Sequence, residues 1–238
     1  MKAFKIDLDS SENQSILKSS TRYSNNQAHT RPSNNQAHQV DEAAKKIDKL
    51  IKNAPYSNGN IILNHNEIKE AFFNPFKPQL KNAQVFLSHS HADKNEALKV
   101  KGYLEEDLDA ECVFIDSLFW DYKDDVLNKL AEYAEYDDND ISVIEDAFTL
   151  ILRESLECMI KKCPYFVFLQ SKNSVSNQGL SRITYSAWIY EELRIAHSIS
   201  ESCPIPMMES MQVFHDISPF LESLKTITLK KLSQQINS

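Results

Sequence analysis

AQVFLSHSHADKNEALKVKGYLEEDLDAECVFID, residues 83–116, decides the fold class. It opens on a short apolar run, AQVFLS (83–88), of the length and composition of a buried strand. DKNEALKVKGYLEEDL (93–108) follows, with Ala97, Val100, Leu104 and Leu108 at helical spacing. ECVFID (111–116) is a second apolar run. Strand, helix and strand in that order form a crossover unit, which brings two strands side by side in parallel.

The pattern recurs downstream. Ile144, Phe148, Leu152, Leu156 and Met159 mark a helix within residues 141–162, and YFVFLQ (165–170) is a third strand. SKNSVSNQGLSRITY (171–185) reads as a polar loop. A helix then begins after Ser186, a suitable N-cap. PIPMMES (204–210) is a site for a further strand, and TITLKKLSQQI (226–236) leads into a final helix. The expected fold is α/β, with a parallel sheet of about five strands flanked by helices. Such sheets bind ligands beyond the carboxyl ends of their strands. FLSHSHADK, FIDSLFW and FLQSKNS all leave their strands at that edge.

Upstream, RYSNNQAHT (22–30) is followed at once by RPSNNQAHQ (31–39), a near-copy of nine residues. Two copies are too few and too short for a repeat architecture. Residues 1–39 read as a flexible polar tail. Residues 40–79 read as a short helical extension, with Ala43, Ile47, Leu50 and Ile51 on one face, Pro55 as a stop, and a second short helix at HNEIKEAFF (65–73). The main domain is expected over residues 80–238.

Within SAWIYEELRIA (186–196) two neighbouring glutamates differ in kind. At about 100° per residue, with Trp188 at zero, the apolar stripe centres near 50° and Glu192 lies at about 40°. Glu191 lies on a flank, and Tyr190, Arg194 and His197 lie opposite. Glu191 is therefore an ordinary solvated residue and Glu192 is the anomaly. A lone buried carboxylate is costly unless it is neutral, paired or facing a wet cleft. Spacing leaves two readings open: a functional carboxylate, or a core-edge partner for a lysine or arginine.

Bulk properties exclude several classes. The net charge is −8, and residues 121–146, with ten acids and two lysines, account for all of it. A chain neutral elsewhere lacks the basic face that nucleic acid requires. The acidic run reads as a solvated loop. No apolar stretch approaches the roughly 18 residues of a membrane span, and the first residues lack a secretory signal's apolar core. Cys112, Cys158, Cys163 and Cys203 show no metal-ligand spacing and read as free thiols of a reducing cytoplasm. No metal site is expected.

VFLSHSHADK (85–94), CVFIDS (112–117), CPYFVFLQSKNS (163–174), SAWIYEEL (186–193) and TITLKKL (226–232) together resemble the bacterial form of the TIR (Toll/interleukin-1 receptor) domain, over roughly residues 80–236. The resemblance implies a flavodoxin-like fold. It implies cleavage of NAD+ at the nicotinamide–ribose bond, with NAD+ as substrate and no cofactor. The family's W-x-x-x-E signature falls on Trp188 and Glu192, which makes Glu192 the implied catalytic residue. It further implies assembly through TIR–TIR contacts. In Thoeris-type antiviral systems the product, an ADP-ribose-derived signal, is sensed by a separate effector. Other members act as non-enzymatic adaptors, and a nucleoside transferase or hydrolase on a similar sheet is a third class.

Chemically, losing nicotinamide builds positive charge on the ribose, which a carboxylate stabilises. The leaving group departs as a neutral base and needs no acid, so one glutamate suffices. Ser88, His89 and Ser90 stand where ribose or phosphate would be held, although turn chemistry explains His89 equally well. Asp116 ends the second strand as a substrate contact or a turn cap. Trp120 is placed for base stacking or for assembly. Trp188 is placed to stack on a ring or to fill the core. No G-x-G-x-x-G phosphate grip is present among three glycines.

Overall fold

The computed structural model describes residues 1–19, 34–57, 60–61, 63–74, 81–108, 113–133, 138–178, 181–201 and 215–237. In chain order its elements are β1 (Lys2–Asp7), α1 (Ser11–Ser19), α2 (Asn34–Lys52), β2 (Tyr56–Ser57), β3 (Asn60–Ile61) and α3 (His65–Phe73). Then come β4 (Val85–Ser88), α4 (Lys94–Leu108), β5 (Val113–Ile115), α5 (Ser117–Ala131), α6 (Asp138–Lys162) and β6 (Tyr165–Gln170). The chain ends with β7 (Ser176–Gln178), β8 (Ser181–Thr184), α7 (Ala187–Glu201), β9 (His215–Asp216), α8 (Ser218–Ser223), β10 (Lys225–Thr226) and α9 (Leu229–Ile236). The chain divides into two compact units: Met1–Asn26, Asn82–Ser117 and Leu156–Ser238 form one, and Gln27–Lys81 and Leu118–Ser155 the other.

The first unit holds a five-stranded sheet in the order β10-β1-β6-β4-β5, parallel at every pairing. This is the expected flavodoxin-like α/β class, helices flanking a parallel sheet. β4 and β5 are buried throughout, which is why they read as unbroken apolar runs. Phe86 on β4 pairs in register with Phe114 and Phe166. Its ring lies 5.7 Å from the first and 5.9 Å from the second, an aromatic rung across three strands. Ala97, Val100 and Leu104 of α4 are buried, as their spacing requires. Glu105 and Lys101 fasten that helix to the edge strand: Val113 N donates to Glu105 Oε1 (3.0 Å) and Lys101 Nζ to the Val113 carbonyl (2.7 Å).

Three expectations change. Residues 1–39 are no mere tail, because β1 lies inside the sheet, paired with β6 from Lys2–Tyr165 to Asp7–Gln170. Phe4 and Ile6 alternate inward, and α1 follows with Leu17 buried. The sheet unit therefore starts at the first residues and not at residue 80. The polar stretch 171–185 is likewise no simple loop. It forms β7 and β8, which with β9 make a small antiparallel sheet. The acidic run is helical in α5 and α6, with Val126, Leu130, Ile144 and Phe148 inward and Asp124, Asp125, Glu132, Glu145 and Asp146 exposed. The acids are solvated, but from helix faces. The strand expected within residues 204–210 lies outside the described residues. The final helix forms as α9, capped by Thr228, whose hydroxyl accepts from Lys231 N.

The second unit is helical, with a two-stranded ladder of β2 and β3. Its centre is Phe72 of α3, fully buried, with Phe73, Tyr122 and Phe148 at ring distances of 5.0, 5.1 and 5.0 Å. α3 has its expected bounds, and Asn64 caps its start. α2 begins earlier than residue 40, within the duplicated segment. Among the described residues no helix is long and apolar enough to cross a membrane.

Candidate functional site

β4 and β5 are parallel neighbours, so their carboxyl ends reach the same edge of the sheet. That places Ser88, the last residue of β4, and Asp116, just after β5, in one neighbourhood. α7 brings the third member. Its first turn is fixed by Ser186, whose hydroxyl accepts from Ile189 N at 3.3 Å. Ile189, Leu193, Ile195 and Ala196 are buried along the helix, the stripe that the spacing defines. Glu192 lies in that stripe with 0% exposure.

Ser88 Oγ donates to Glu192 Oε2 at 2.5 Å, within a wholly buried pair. His89 Nδ1 lies 3.0 Å from Asp116 Oδ1. That contact is close but poorly aligned, since neither ring nitrogen of His89 has a well-directed hydrogen-bond partner among the described residues. Among the described residues Glu192 Oε1 has no well-directed donor either. Its carboxyl-bearing neighbour is Asp116. Two carboxyl groups that face one another can hydrogen-bond only when one carries a proton. Burial, then the charge and hydrogen bonding of Asp116, push Glu192 well above the usual carboxylate range, and the Ser88 hydroxyl opposes them. The proton is therefore held on Glu192 more firmly than on an ordinary carboxyl group.

Two expectations about this helix are corrected. Glu192 was expected to face a wet crevice or a cation. It is enclosed, and its polar neighbours are a hydroxyl and a second carboxyl group. Glu191 is not simply solvated, because Arg194 NH2 donates to it at 2.7 Å and both side chains are mostly covered. Glu191 pairs with the arginine on its own helix, and Glu192 faces its carboxyl neighbour.

The other expected residues fall in three groups. Ser88, His89 and Asp116 join Glu192 as buried polar groups. Ser90 is half-buried and its carbonyl accepts from Asp93 N at 2.8 Å, the turn chemistry of that loop. Trp188 is half-exposed, one helical turn before Glu192. Trp120 lies in α5, not in a covering loop, and its side chain is outside the described residues.

A second polar cluster joins two strand-end loops. Asp93 is buried, with Ser171 Oγ donating to Oδ2 (2.5 Å) and Asn173 Nδ2 to Oδ1 (2.6 Å). Ser171 N donates in turn to Ser174 Oγ at 2.8 Å. These bonds clasp the loop after β6 to the loop after β4, and so brace the backbone that carries Ser88 and His89. The signal was available: Asp93 is an acid just before an amphipathic helix, and SKNS supplies three short donors where β6 ends.

Chemically, a protonated acid against a carboxyl partner can give up or take back a proton within the pair. Ionised, Glu192 would present negative charge in low-dielectric surroundings, where it acts most strongly on a developing cation. Among the described residues no group of His, Cys, Asp and Glu is arranged to hold a metal ion. Comparison with protein-family models, curated proteins and solved structures finds no match for this chain.

Proposed function

We propose that this chain cleaves NAD+ at the nicotinamide–ribose bond, as a TIR-type glycohydrolase or cyclase, with Glu192 as the catalytic carboxylate. The observation that carries the reading is the placing of Glu192. A buried acid with no cation partner meets Ser88 and Asp116 where two parallel strands end. A core built for stability alone has little use for such a group, since burying an acid that has no cation beside it is expensive.

The closed geometry belongs to a resting state. Turnover needs the loop after β4 to open so that a ribose reaches Glu192, and it needs Glu192 to lose its proton. Assembly of several copies through TIR–TIR contacts is the proposed trigger. The product, an ADP-ribose-derived signal read by a separate effector in antiviral defence, belongs to the same proposal, as does a cytoplasmic site of action.

One observation favours a second reading. Glu192 has 0% exposure and a hydrogen bond to Ser88, which suits a structural acid in a non-enzymatic TIR adaptor. Incubating concentrated protein with NAD+ and following nicotinamide release by mass spectrometry separates the two. The enzyme reading expects turnover that Glu192→Gln abolishes and Glu191→Gln retains. No nicotinamide from concentrated, assembled protein overturns it in favour of the adaptor.

A further inference from the structure

An open cleft of about 380 Å³ lies at the other half of the sheet's carboxyl edge, lined by Lys5, Asp7, Gln170, Asn177, Arg182 and Thr226. Strand register explains the set. Lys5 and Thr226 are partners across β1 and β10, Asp7 and Gln170 across β1 and β6, and Asn177 and Arg182 across β7 and β8. Lys5 and Asp7 are two residues apart on β1 and so share the face opposite buried Phe4 and Ile6. Three cross-strand pairs thus deliver six polar side chains to one hollow, and none of the six is apolar.

The charges point to a ligand class. Among the lining side chains Lys5 and Arg182 are two cations against one carboxylate, that of Asp7, and Glu222 acts on Lys5 from outside the lining. Burial, and then the nearby Arg182 guanidinium, push Lys5 below the usual lysine range, while Glu222 opposes. Lys5 Nζ spends one donor on the Leu221 carbonyl at 2.5 Å and keeps two. Among the described residues the Arg182 side chain has no ion-pair partner, and it is exposed at the cleft. Two cations held close together repel, and a divalent oxyanion between them relieves the repulsion. Asp7, Asn177, Gln170 and Thr226 supply the acceptors and donors that hydroxyl groups require. The volume lies within the usual range for small-molecule sites.

The geometry points to a binding site for a small phosphorylated polyol, its phosphate on Lys5 and Arg182 and its hydroxyls on Asp7 and the neighbouring amides. This site shares no residue with the Glu192 cluster, and it stands whether or not the chain turns over NAD+.

Ribose 5-phosphate, inorganic phosphate and ribose are titrated into the full chain by calorimetry at fixed ionic strength. Ribose 5-phosphate is expected to bind at submillimolar to millimolar concentration and more tightly than inorganic phosphate, with ribose silent. Arg182→Gln weakens the binding by about tenfold or more, as loss of a charge-assisted contact should. Lys5→Gln does the same, and the exposed Arg182 variant decides the matter should the strand variant fail to fold. The site is refuted if ribose 5-phosphate binds no better than ribose, or if Arg182→Gln leaves its affinity unchanged.

Discussion

Replacing Glu192 with glutamine keeps the shape of the side chain and removes its ionisation. The amide can still accept from Ser88 and donate toward Asp116, so the hydrogen bonds of the folded state are preserved. In the wild type, burial and Asp116 raise the folded-state pKa of Glu192 above its ordinary 4.5. Its contribution to stability is therefore full below that ordinary value and is lost as pH rises through the raised one. Across that interval the folded chain holds a proton that the unfolded chain has released. Stability falls by about 1.4 kcal/mol for each pH unit. Glutamine has nothing to release. Urea unfolding of both proteins, followed by fluorescence at several values from about pH 4 to pH 8, isolates the titration of the Glu192–Asp116 pair, because groups not coupled to it cancel in the difference. The two should agree near pH 4 and separate upward, with Glu192→Gln the more stable at neutral pH. It should also be inactive toward NAD+, a gain in stability coupled to a loss of function. Parallel stability profiles, or a variant weaker than wild type at neutral pH, would refute the protonated pair.

Two further outcomes follow from the same coordinates. Asp116→Asn removes the charge that helps to hold the proton on Glu192, so Glu192 ionises at lower pH; the acid limb of nicotinamide release should move to lower pH, and an unmoved limb means that the two groups do not interact. Removing residues 1–9 takes β1 from between β6 and β10 and deletes buried Phe4, Ile6 and Leu8, each worth about 1.5–3 kcal/mol; circular dichroism should show a chain without a cooperative unfolding transition, whereas a native-like melt would mean that the sheet closes without this strand.

The central strands were legible because burial on both faces leaves a sequence nothing to alternate with, and VFLS, VFI and FVFL need no context. β1 was legible in principle, since K-A-F-K-I-D alternates with period two. Its position beside a polar, repetitive segment disguised it. β7 and β8 are written in SNQ and SRIT, and backbone pairing rather than side-chain pattern holds such strands. The helical period of residues 117–131 was masked by charge, because the acids sit on the outer face and Val126, Leu127 and Leu130 on the inner. The site shows the same divide. The burial of Glu192 could be read from its own helix. Its contact with Ser88 could not, for the two are 104 positions apart and only the assembled sheet joins them.

The place of β1 bears on how this chain comes to be folded. Its first strand leaves the ribosome long before either neighbour has been translated, since β6 and β10 are encoded far downstream. Until then Phe4 and Ile6 have no permanent shelter, and the sheet can assemble only with a gap at its middle. Such long-range closure slows folding and prolongs the exposure of unpaired strand edges. Nascent chains should therefore depend on a holding chaperone through most of synthesis, and a bulky tag at the amino terminus should lower the yield of native protein more than the same tag at the carboxyl terminus.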